Sequence, residues 1–178
     1  MQSLHLNLLR KFLLPVELRF MISVYFIARL TNITIRTAVM EYYDGRFGNF
    51  RQRKKNRRNL TLTYGYIAWW DTSLVTDTSQ LFRTLEDFDE NISNWDVSNV
   101  TTMEHMFSYY TKFNQPIGKW NVSNVTNMKH MFYKSNKFNQ PLHEWNVSKV
   151  EYNDFIFWEA QRFNHPPPSW NFSILKRF

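Results

Sequence analysis

The chain's 178 residues carry 43% hydrophobic and 18% aromatic side chains with only 4 Gly and 6 Pro, which excludes a disordered, collagen-like or linker-type chain. There is no Cys, so a disulfide framework, a thiolate zinc site and a cysteine nucleophile are excluded as well. The formal charge of +7 is unevenly placed: residues 1–66 hold 12 Lys/Arg against 3 Asp/Glu, whereas residues 67–178 hold 10 against 12.

Residues 1–33 read as an apolar helical segment. The uncharged run from Phe20 to Ala28 is nine residues, bounded by Arg19 and Arg29, and a membrane-spanning helix needs about 20. Arg10 and Lys11 are followed by Pro15, Glu17 and Arg19 rather than by an apolar run and a cleavage site, so a secretory signal is not predicted. An intracellular protein, cytoplasmic or nuclear, is the expectation. Leu14, Pro15, Val16, Glu17 and Leu18, followed by Met21, Ile22 and Phe26, resemble the start of an F-box. That resemblance implies docking on the adaptor of a cullin-type ubiquitin ligase through Leu14, Pro15, Glu17 and Leu18. The same stretch also reads as a helix packing on the end of a solenoid built by residues 67–178, since Pro is ordinary in a first helical turn.

Residues 34–66 read as a capping helix, Thr34 to Tyr43, followed by a basic loop. Arg46 to Arg58 carries seven cations, and such a block repels itself and stays solvated. Arg51, Arg53, Lys54, Lys55, Arg57 and Arg58 suit a phosphate-gripping loop, a nuclear-import signal or a plain solvated insertion.

Residues 67–178 are a repeat. Trp70, Trp95, Trp120, Trp145 and Trp170 are spaced by 25. Ser73, Ser98, Ser123, Ser148 and Ser173 keep the same register, as do Phe82, Phe107, Phe132 and Phe157, and again Phe88, Phe113, Phe138 and Phe163. The stretch holds four full units and a half unit, its last part, 151–178, reading as a C-terminal cap. Val100, Met103, Met106 and Phe107 suggest one face of a short helix, with Thr101 and Glu104 as its capping box. Phe113 to Val122, interrupted by Pro116, suggests extended chain with a short strand. The predicted fold is therefore an α/β solenoid: leucine-rich-repeat-like coils of 25 residues, each with one short helix and one short strand, behind an N-terminal helical cap. Asn114, Asn139 and Asn164 are expected to form a polar ladder, each satisfying turn backbone of its neighbour.

The strings WDVSNVTTMEHMFSYYTKFNQP and WNVSNVTNMKHMFYKSNKFNQP resemble the BspA-type leucine-rich-repeat surface-protein family. The resemblance implies a binding scaffold without catalytic residues. His105 and His130 share a column but lack a third ligand, so they read as solvent-exposed polar residues rather than a metal pair. Glu104, Ser108, Lys129 and Lys134 are the expected exposed positions. Catalysis needs one asymmetric constellation, and the Ser and acid/amide columns recur in every unit. No catalytic, cofactor or metal site is expected. The predicted function is a non-enzymatic protein–protein interaction scaffold, with an F-box-type adaptor and a nucleic-acid-associated protein as the alternatives.

Overall fold

The computed structural model describes residues 28–43 and 58–170, apart from Thr84, Tyr110, Thr111 and Ser169. Helix α1 (Asn32–Tyr43) starts at a reciprocal cap. The Thr34 N–H donates to Thr31 Oγ1 (3.3 Å) and the Thr31 N–H to Thr34 Oγ1 (2.8 Å), which satisfies two orphan donors of the first turn. Ile35, Ala38 and Val39 form its buried face, at i, i+3 and i+4. Residues 58–64 are helical, and Ile67–Trp69 form a 3-10 turn that leads into the repeat.

The α/β solenoid is not what forms. The described part of the repeat contains no α-helix and no strand; each coil is a succession of tight turns. Among the described residues the only ladder elements are isolated parallel bridges, Asp77 to Thr102, Thr102 to Asn127 and Asn127 to Tyr152, one residue per coil. The reason lies in where the backbone donors go. A helix spends nearly every N–H within its own segment. Here alternate donors are diverted. Met106 N–H reaches Met103 C=O and Ser108 N–H reaches His105 C=O inside the coil. Met103, His105, Phe107 and Tyr109 instead donate to Asn127, Lys129, Met131 and Tyr133 of the next coil, at 2.8–3.0 Å. Met128, His130, Phe132 and Lys134 repeat this toward Tyr152, Asp154, Ile156 and Trp158.

Aiming alternate peptides outward requires a left-handed residue at fixed places. Gln80, His105, His130 and Phe155 have φ of 53–58°, and Tyr109, Lys134 and Glu159 have φ of 56–71°. Such residues interrupt any helix, and for Phe or Tyr they cost of order 1–3 kcal/mol each, persisting only where the surroundings over-determine them. The expected capping box dissolves for the same reason. Thr101 donates both its N–H (2.9 Å) and its hydroxyl (3.2 Å) to Thr76 C=O of the coil before. Glu104 accepts from Asn127 Nδ2 (3.2 Å) of the coil after.

Inside the stack, equivalent rings lie over one another. Phe82, Phe107, Phe132 and Phe157 have centroids 5.5 Å apart at each step, with planes within 13°. Phe88, Phe113, Phe138 and Phe163 form the second column at 5.5–6.1 Å. Within a coil the two columns touch, as in Phe107–Phe113 at 4.1 Å. The Trp column brings its own hydrogen bonds: Trp95, Trp120 and Trp145 Nε1 donate to the carbonyls of Ile67, Ile92 and Ile117 one coil back, at 2.7, 3.3 and 3.0 Å. This is how buried indoles remain satisfied.

Where the strand was expected, the coils meet mainly through side chains. Pro116, Pro141 and Pro166 have no N–H to offer a ladder. Asp96 and Asn121 cap the turns that come after them, each accepting from the Ser N–H two residues on (3.0 and 3.2 Å). Asn99 and Asn124 Nδ2 reach back to Ser73 and Ser98 C=O at 2.9 and 2.8 Å. The Asn ladder forms as expected: Asn139 N–H donates to Asn114 Oδ1 (2.8 Å) and Asn164 N–H to Asn139 Oδ1 (3.3 Å).

Helix α1 closes the first coil. Asn32 Oδ1 accepts from the N–H groups of Thr76 (2.8 Å) and Asp77 (3.1 Å), and Arg36 pairs with Asp77 at 3.1 Å. Tyr43 packs on Phe88 with centroids 5.6 Å apart. Among the described residues, no helix is long and apolar enough to cross a membrane.

Candidate functional site

The diverted hydrogen bonds hold four turn segments, residues 77–83, 102–109, 127–134 and 152–159, side by side as one face. Its inward columns are uniform or nearly so: Phe82, Phe107, Phe132 and Phe157, beside Leu81, Met106, Met131 and Ile156, all buried. Two further columns, exposed in part, are not. One reads Ser79, Glu104, Lys129, Asp154, and the column four residues further along reads Arg83, Ser108, Tyr133, Trp158. A rigid frame therefore presents different chemistry at each level.

Aromatic and cationic groups dominate this face. Arg83 sits over the Tyr109 ring at 5.0 Å, and Lys134 over the Tyr133 ring at 5.4 Å. Tyr109 meets Tyr133 edge-on with centroids 5.5 Å apart, and Phe155 meets Trp158 at 5.3 Å. Ion pairs link levels three and four: Lys129 with Asp154 and Lys134 with Glu159, each at 3.7 Å. Tyr152 and Phe155 are the most exposed large rings here, at 55% and 47%. Over its described part the last coil thus offers these two rings to solvent beside the exposed Glu151, Asp154, Gln161 and Arg162.

His105 and His130 stand in the middle of the face. They are half-buried and stacked, with centroids 4.5 Å apart and planes within 1°. Phe155 continues the column at 5.4 Å from His130. This corrects the expectation of solvent-exposed side chains. Ring nitrogens present their lone pairs in the ring plane, and two parallel planes do not meet, so the pair as stacked does not converge on one metal ion. Among the described residues no group of three or more ligating side chains comes together. Burial is the main cause that pushes both imidazoles below their ordinary value, with His130 adding to the effect at His105 and Lys129 at His130. Ser108, expected outside, is fully buried and donates its hydroxyl to His105 C=O at 3.2 Å.

A cleft of about 320 Å³ lies at the other end, between α1 and the first coil. Tyr42, Tyr66, Ile67, Glu90 and Asn91 are among its walls, and Tyr42 donates to Glu90 Oε1 at 3.1 Å. Near it, Tyr66 and Trp69 of the turn region are exposed at 68% and 66%.

The site residues singled out from sequence fall elsewhere. Leu14, Pro15, Glu17 and Leu18 lie outside the described residues, as do Arg51, Arg53, Lys54, Lys55 and Arg57. Arg58 is exposed at the start of the helical residues 58–64. The aromatic face was missed, although its signal was present: Arg83, Ser108, Tyr133 and Trp158 occupy one column that does not repeat in a chain where most columns do.

No curated protein and no solved structure matches the chain. A family model does match, over residues 50–176, and so spans the whole stack of coils. The chain belongs to the family described as mycoplasma protein of unknown function, DUF285.

Proposed function

We propose that the protein is a non-enzymatic interaction scaffold that binds a protein partner through the turn face. One observation carries the reading: a constant backbone lattice displays non-repeating Arg, Tyr, Trp and Phe side chains at Arg83, Tyr109, Tyr133, Tyr152, Phe155 and Trp158. Aromatic residues and Arg are the groups enriched in interface cores and hot spots. The likeness of the repeat strings to BspA-type surface proteins supports the same reading.

Capture with the whole chain as bait tests it, against a variant carrying Tyr152→Ser, Phe155→Ser and Trp158→Ser. A specific protein partner is expected with the wild type, at least tenfold depleted with the variant while its melting temperature stays within a few degrees. An identical partner set from both proteins would refute the role of the face. Capture of a ubiquitin-ligase adaptor that depends on Leu14 and Pro15 would favour the F-box alternative. Nucleic acid retained through Arg51, Arg53, Lys54, Lys55, Arg57 and Arg58 would favour the other.

A further inference from the structure

The stacked imidazoles have no structural duty that other side chains in their column cannot perform, since Gln80 and Phe155 hold the same left-handed position in the outer coils. What distinguishes His105 and His130 is the imidazole, the side chain whose unperturbed protonation equilibrium lies nearest neutrality. We infer that the His105–His130 stack is an acid-sensitive seam between the second and third coils, closed when both rings are neutral and opened when they take up protons.

Two observations carry this. The rings lie face to face at 4.5 Å, so a charge on one opposes a charge on the other. His130 Nδ1 is buried and has no hydrogen-bond partner, so the proton of an imidazolium there finds no acceptor. His105 Nδ1 faces Ser108 Oγ at 3.3 Å, a hydroxyl that donates to His105 C=O and keeps a lone pair for a ring N–H, so the missing acceptor is on the His130 side of the stack. The charged neighbours do not compensate. Arg83 from the first coil and Lys129 from the third oppose protonation. Glu104 and Asp154 favour it, but Glu104 is engaged by Asn127 Nδ2 at 3.2 Å and Asp154 by Lys129 at 3.7 Å. Tyr109 and Tyr133 pack on the rings and bring no carboxylate to them.

The sign comes from linkage. A histidine whose folded-state value lies below the ordinary ~6.5 binds fewer protons folded than unfolded just below that pH. Its contribution is whole above about pH 6.5 and is lost as the pH falls through the depressed folded value. The switch thus weakens the seam on acidification and leaves the Phe and Trp columns closed.

The test uses the whole chain and the variants His105→Asn, His130→Asn and the double variant, because Asn accepts a left-handed backbone. Imidazole NMR titration from pH 8 to 4.5 is expected to place both rings below the ordinary histidine midpoint, and His130→Asn is expected to raise the midpoint of His105. The wild type is expected to lose about 2 °C or more of Tm beyond the double variant between pH 7.5 and 5. The comparison cancels the carboxylates that both proteins share. Two independent wild-type curves centred near 6.5 would overturn the inference even if the double variant folds poorly, and so would equal Tm losses in the two proteins.

Discussion

Phe107→Ala is the sharpest test of the stack. Phe107 is fully buried, sits 5.5 Å from both Phe82 and Phe132, and touches Phe113 at 4.1 Å and Trp120 at 6.4 Å. Truncating a buried Phe costs about 3–5 kcal/mol through lost transfer energy and the cavity left behind. The upper half of that range is expected here. The neighbours on both sides are held by backbone hydrogen bonds to adjoining coils, among them Phe82 N–H to Met106 C=O and Phe132 N–H to Ile156 C=O, so the site cannot collapse. Each ring pair contributes about 0.5–1.5 kcal/mol beyond area alone. Against a total stability of about 5–15 kcal/mol, the loss is a large share. Urea titration followed by Trp fluorescence reads it, and Tm is expected to fall by about 10–20 °C. Phe155→Ala, on the exposed end of the turn face, is the control and is expected within about 0.5 kcal/mol of wild type. A cost below about 1 kcal/mol at Phe107, or equal costs at both sites, would refute the stacked-core account.

The same contacts give four further outcomes. Trp145→Phe keeps a ring but leaves the buried Ile117 carbonyl with the Trp120 N–H alone, so a loss of about 0.5–1.5 kcal/mol for the missing bond is expected in chemical denaturation. Gly118→Ala drives its Cβ into the Pro141 carbonyl of the next coil, and a cost of about 1–3 kcal/mol is expected by calorimetry. Asp77 lies below the usual carboxylate value: burial raises it, but the Ser79 hydrogen bonds and the Arg36 guanidinium outweigh burial. Its contribution is therefore whole above about pH 4 and lost as the pH falls through the folded value, so Asp77→Asn is expected to flatten the acid limb of a stability–pH curve. Exchanging Glu104→Lys with Lys129→Glu is expected to change stability by no more than about 0.5 kcal/mol in a urea titration.

The core was legible in sequence because periodicity reports burial whatever the backbone does. Val100, Met103, Met106 and Phe107 face inward as read, and so do the Trp and both Phe columns. The local structure was misread because i, i+3, i+6 resembles an amphipathic helix over eight residues. A helix drifts from a strict three-residue step, whereas consecutive tight turns keep it. Nothing in the composition announced the left-handed residues, because the column contains Gln80, His105, His130 and Phe155 and no Gly or Asn. Those conformations are imposed by the neighbouring coil, through bonds such as His105 N–H to Lys129 C=O, and no single coil encodes them. The Asn ladder was foreseeable because Asn114, Asn139 and Asn164 are polar, periodic and next to Pro-containing turns, where side-chain amides substitute for absent backbone pairing.

The same division of hydrogen bonds explains where variation is tolerated. On the Trp side, side chains carry the coil-to-coil bonds, so Trp95, Asn114 and their counterparts repeat almost unchanged. On the turn face the backbone carries those bonds, through donors such as Gln80, His105 and His130 and the acceptors Glu104, Lys129 and Asp154 one coil on. Side chains there carry fewer of those bonds, Glu104 with Asn127 and Lys129 with Asp154 among them, and Ser79, Glu104, Lys129 and Asp154 differ at every level. A surface whose frame is fixed by backbone and whose chemistry is free is where a repeat protein evolves recognition without refolding. Tyr133 and Trp158 take the place of Ser108 in its column, and Arg83 occupies it in the first coil. Ser108 is buried where Arg83, Tyr133 and Trp158 remain partly exposed, so the bulk at those three levels packs on neighbouring rings and stays open on its outer side to the partner proposed for this face.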